Sequence, residues 1–119
     1  MSRINPYQAP EDGLPPAEVR FTELRAETWP DNPRRVRIHL TTTPFLERPD
    51  IEVVIARPSG EKVSSIDIIE TIENQMTFTM HLKEGSASGT FTVRASLSYQ
   101  SIGLVDQRSI SFEGAETAV

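Results

Sequence analysis

The chain has 119 residues, with 12 Lys+Arg against 17 Asp+Glu and a formal net charge of −5. That balance argues against a nucleic-acid binder, which needs a basic surplus or face to meet phosphates. No cysteine is present, so disulfides, thiolate metal sites and thiol nucleophiles are excluded. No apolar run approaches the roughly 20 residues of a helical membrane span, so no membrane insertion is expected.

Residues 1–16 hold Pro6, Pro10, Pro15 and Pro16, with Ile4, Tyr7 and Leu14 as the sizeable apolar groups. Prolines remove backbone donors and favour extended conformations, so this stretch reads as a disordered tail or a docking arm. A sandwich domain over 17–113 and a short tail over 114–119 complete the expected organisation. Met1-Ser2-Arg3-Ile4 opens no apolar leader, which gives a cytoplasmic location if the chain is a complete reading frame.

From residue 17 onward the apolar period is two. Val19 and Phe21 alternate, then Leu24, Ala26 and Thr28 continue on the other parity, which predicts a bulge near Thr22-Glu23. Val36, Ile38 and Leu40 alternate with Arg35, Arg37 and His39. Ile51, Val53 and Ile55 form a strand whose other face, Val54 and Ala56, is apolar as well. A turn at Pro58-Ser59-Gly60-Glu61 places Gly60 to take a positive φ. Val63 to Thr71 reads as a strand by β-branching, although the spacing of Ile66, Ile69 and Ile72 also suits a short helix, leaving 63–73 open between the two.

Met76, Phe78, Met80 and Leu82 form the next alternating row, followed by Phe91, Val93, Ala95, Leu97 and Tyr99. A last strand covers roughly 104–112 behind Gly103. About seven short strands at this spacing predict an all-β, two-sheet antiparallel sandwich, with a closed barrel as the alternative. The expected core is Phe21, Val36, Ile38, Leu40, Val53, Ile55, Phe78, Met80, Phe91, Val93, Leu97 and Phe112.

The stretches Met76–Leu82 and Gly89–Ala95, the latter opening on Gly89, Phe91 and Val93, resemble bacterial immunoglobulin-like or fibronectin type III-like sandwiches. The resemblance spans roughly residues 17–113. It departs from antibody-type domains in lacking the cysteine pair, and Tyr99 ends its strand, away from a tyrosine-corner position. The resemblance implies a fold and no particular activity, since such sandwiches host many functions.

Chemistry is thinly supplied. His39 and His81 are the only histidines. In an immunoglobulin-like topology their strands are neighbours, which allows a cross-strand pair but no full metal shell. Gly85-Ser86-Ala87-Ser88-Gly89 has alanine where a nucleophile elbow needs serine. Asp31, Glu47 and Asp50 read as turn formers. Arg34, Arg35 and Arg37, with Arg20 and Arg25, interleave with Glu18, Glu23 and Glu27, giving cross-strand ion pairs or a phosphate-binding stripe.

No catalytic, cofactor or metal site is expected. Two functions remain. The first is a non-catalytic protein-interaction or scaffold module with a protein partner or self-association. In that reading Tyr7 and Leu14 of the arm, or a partner, cover Val54 and Ala56. The second is a carbohydrate- or small-ligand-binding accessory domain using the loop aromatics Trp29 and Phe45.

Overall fold

A computed structural model describes residues 11–29, 31–83 and 87–114. Seven strands form: β1 (Phe21–Trp29), β2 (Asn32–Thr42), β3 (Asp50–Ala56), β4 (Lys62–Ile68), β5 (Gln75–His81), β6 (Thr90–Tyr99) and β7 (Gly103–Glu113). They build one sheet of order β1-β2-β5 and a second of order β4-β3-β6-β7, every pairing antiparallel. The two faces pack as an immunoglobulin-like sandwich. It differs from the antibody constant arrangement in placing the fourth strand beside the third. The open sheets remove the barrel alternative, and β4 removes the helix alternative for its segment.

The apolar alternation explains this layering, because each strand sends one parity inward. Val36, Ile38 and Leu40 of β2 face Ile51, Val53 and Ile55 of β3 and the Phe91–Leu97 row of β6, all essentially inaccessible. Each such side chain contributes about 1.5–3 kcal/mol of burial, set against the ordering entropy of the chain. Val19, Leu24, Phe45, Val63, Leu82 and Tyr99 join this core. Phe78 and Phe112 only border it, half-buried, which corrects their expected central place. Both lie on outer strands of their sheets, where one flank stays open.

The expected bulge is present as a register shift between Phe21 and Glu23. It turns Phe21 and Leu24 inward together despite their odd separation. Gly60 has φ +92 and closes the β3–β4 turn through its N–H to the Arg57 carbonyl at 2.8 Å. A non-glycine residue would be strained there.

The strand directions define two poles. At one lie the β2–β3, β4–β5 and β6–β7 connections; at the other lie the β1–β2 and β3–β4 turns and the start of β6. β1 and β7 both run from the first pole to the second and touch across the sheets, where Phe21 N–H donates to Asp106 Oδ2 at 2.8 Å. Residues ahead of β1 add a single 3-10 turn, Pro16–Glu18. Leu14 then bridges Phe45, donating from its N–H to Pro44 O and accepting from Leu46 N–H, each at 3.0 Å.

Candidate functional site

The first pole is assembled from three connections that brace one another. Tyr99, at the end of β6, is 6% exposed and donates its hydroxyl to the Glu47 carbonyl at 2.8 Å. Burial, and secondarily the charge of Glu47, pushes the Tyr99 phenol up to about 12. The hydroxyl therefore stays protonated and serves as a donor across neutral pH. Asp50 Oδ1 accepts the Glu70 N–H at 2.8 Å, and the Thr71 N–H reaches Pro49 O at 3.0 Å. These bonds hold Glu70 at φ +48, a left-handed conformation uncommon for a residue with a side chain.

The consequence is a loop that turns two large apolar side chains outward. Ile69 is 65% and Ile72 47% exposed, and Leu46 on the neighbouring connection is 49% exposed. Ile102 and Leu104 are exposed on the β6–β7 side of the same pole. Two open depressions run between them. One is bounded by Leu46, Glu47, Arg48, Asp50, Glu70 and Tyr99. The other is bounded by Arg48, Ile69, Ile72, Glu73 and Met76. An apolar centre thus sits among four carboxylates, with Arg48 the basic residue lining both depressions. The β-branched, helix-like spacing of Ile66, Ile69 and Ile72 in the sequence marked this stretch without separating its strand half from its exposed half.

The residues singled out from sequence are scattered over the sandwich. Leu14 and Phe45 meet at the first pole, and Phe45 is 6% exposed inside the core. Its ring is largely enclosed where it caps the sandwich end, beside a shallow depression shared with Pro44, Ile72 and Asn74. Leu14 is accordingly engaged with Phe45, and Tyr7 lies outside the described residues. Val54 sits on the outer parity of β3 between Ser65 and Arg94, yet is 3% exposed within the one chain. The expected cover over this face was the chain's own arm, a second copy or another protein; Val54 is already enclosed within the one chain. Ala56 is half-buried beside it.

Trp29 is half-buried at the end of β1, paired with Asn32, so the strands continue almost through the expected loop. Arg35 and Arg37 lie over its ring. The histidines do not pair: His39 is opposite Thr77, and His81 is opposite Arg35. His39 Nε2 instead approaches Glu27 Oε1 at 2.5 Å, off the ring N–H direction, while Nδ1 lies 3.3 Å from Thr77 Oγ1. Among the described residues, no three His, Asp or Glu side chains gather as metal ligands, and no helix is long and apolar enough to cross a membrane.

No protein-family model matches the chain, and no curated protein matches it in sequence. Solved structures do share its fold. It is similar to part of a family 2 glycosyl hydrolase from Bacteroides cellulosilyticus DSM 14838, with a TM-score of 0.54 and 12% identity over 80% of this chain. A β-glucuronidase from glycoside hydrolase family 2 gives a TM-score of 0.52 and 11% identity, again over 80% of this chain. The chain spans only 15% and 12% of those two structures. At such identity the likeness is one of fold.

Proposed function

We propose that this chain is a non-catalytic interaction module that docks a protein surface through its first pole. The observation that carries the reading is the outward presentation of Leu46, Ile69 and Ile72 on a loop held by Asp50, Pro49 and Tyr99. Large apolar side chains grouped on a rigid frame mark interaction sites, whereas scattered ones do not. The carboxylates of Glu47, Asp50, Glu70 and Glu73 around them fit a partner with an apolar centre and a basic rim. A second copy would bring acidic rim against acidic rim, which disfavours self-association here. The separated histidines and the committed Tyr99 hydroxyl support a role without catalysis. So does the small fraction of the glycosyl hydrolase chains that the sandwich spans, which suits an accessory unit.

The test is sedimentation of the full chain together with NMR amide-shift mapping against an amphipathic lysine–leucine peptide. A monomer whose shifts concentrate at residues 44–48 and 69–74, and vanish in Ile69→Lys/Ile72→Lys, is the expected result. Self-association abolished by that double variant, or peptide shifts unchanged by it, would refute the docking assignment.

The carbohydrate-accessory reading draws on the same fold likeness. It keeps only Trp29 of its two aromatics, and that ring already carries two guanidinium groups. A neutral oligosaccharide bound by the wild type and lost in Trp29→Ala would favour this second reading.

A further inference from the structure

The solvent face of the β1-β2-β5 sheet carries an arrangement that the docking pole does not use. Arg35 and Arg37 project from alternate positions of β2, roughly 6.6–7 Å apart along the strand. Their guanidinium carbons lie 5.3 and 4.9 Å from the centroid of the Trp29 ring. The carboxylate directly across from Arg37 is Glu27, which makes no ion pair with it. Its Oε1 is taken by Arg25 Nη1 at 2.8 Å and by His39 Nε2 at 2.5 Å. Neither Arg35 nor Arg37 has a carboxylate partner among the described residues. Two unneutralised guanidinium groups side by side stand out in a chain of net charge −5, where acidic groups outnumber basic ones. On the next strand, His81 and Thr79 occupy the register positions opposite Arg35 and Arg37.

We propose that Arg35 and Arg37, ordered by Trp29, form a binding site for the oxyanion group of a small solute: a carboxylate, sulfate or phosphate. The guanidinium fork matches the spacing of two oxygens on such a group, and stacking on an aromatic ring leaves its edge N–H groups free to donate. Holding both side chains against one indole lowers the ordering cost that isolated surface arginines incur on binding. The indole is engaged by the arginines, so the recognised feature is the anion, and a sugar ring stacked on Trp29 is not required. The site lies toward the second pole and is independent of the apolar docking surface.

Trp29 is the one tryptophan of the chain, so its fluorescence reports on the site directly. The full chain is titrated with sodium sulfate, inorganic phosphate and sodium glucuronate, each against sodium chloride at matched ionic strength. A saturable change with any of the three is the expected result, and the one that saturates first identifies the anion source. In Arg35→Gln/Arg37→Gln the apparent dissociation constant rises roughly tenfold or more. In Arg35→Lys/Arg37→Lys, which keeps the charge and loses the fork, it rises by less. Circular dichroism of both variants, unchanged from wild type, shows that the fold is retained. A response that follows ionic strength as chloride does, or equal binding by a folded Gln variant, would overturn the site.

Discussion

Phe91 and Phe78 occupy the same apolar parity of neighbouring sequence runs, yet the fold predicts very different costs for losing them. Phe91 is fully inaccessible. Its ring stacks on Phe112 with centroids 5.4 Å apart, and the Arg57 guanidinium lies over it at 5.3 Å. Truncating a phenylalanine in a closed core costs about 3–5 kcal/mol, and losing a stacked partner places Phe91→Ala near the top of that range. Phe78 stands half-exposed on β5, the outer strand of its sheet, so Phe78→Ala removes about half as much buried area and costs roughly 2 kcal/mol. Against a total stability of about 5–15 kcal/mol, the first change threatens folding and the second does not. Urea unfolding followed by Trp29 fluorescence and by circular dichroism measures both. Equal losses at the two positions, or a larger loss at Phe78, would refute the packing argument.

Two further predictions rest on single contacts. Tyr99 has its phenol raised from 10.0 to about 12, so the folded state favours the protonated form and carries that stability fully below about pH 10. That contribution is lost as pH rises from about 10 through the folded value of about 12. Ultraviolet titration of Tyr7→Phe protein should show one late-ionising phenol, and ordinary ionisation near 10 would contradict the burial cause. Gly114 offers its N–H to Gly89 O at 2.7 Å, and a Cβ there would overlap the Ala87 carbonyl oxygen and crowd the Phe91 ring. Gly114→Ala should therefore cost about 1–3 kcal/mol in the same unfolding assay, and an unchanged midpoint would show that this end yields freely.

Much of the sandwich is legible in the sequence because period-two alternation is a local property. Val36-Ile38-Leu40 and Phe91-Val93-Ala95-Leu97 each state their own inward face. The bulge at Thr22-Glu23 is equally local, since a change of apolar parity within one strand announces it. What escapes is whatever depends on register between strands. The sequence allows His39 and His81 to meet, and only the pairing of β2 with β5 sets them against Thr77 and Arg35. Outer-face Val54 suggests a missing cover, but exposure depends on neighbouring side chains that local alternation does not specify. The exposed apolar side chains of the first pole escape for a related reason. Ile69 and Ile72 look like core residues until the left-handed turn at Glu70, anchored by Asp50 twenty positions earlier, faces them outward.

The shared direction of β1 and β7 has a mechanical consequence. The described chain reaches β1 at the pole of the apolar loops and leaves β7 at the opposite pole, so a pull on its two ends runs along the strands. The first strand is anchored laterally to β2, the last to β6, and the two touch through Phe21 and Asp106. Tension applied this way slides the terminal strands past their neighbours, straining many ladder hydrogen bonds at once. Peeling a strand from its end would break them in sequence at lower force. Resistance to such a load is set by the barrier to unfolding and not by the equilibrium stability that denaturants report. Placed between two other bodies in a longer polypeptide, the sandwich would act as a spacer that stays stiff under tension.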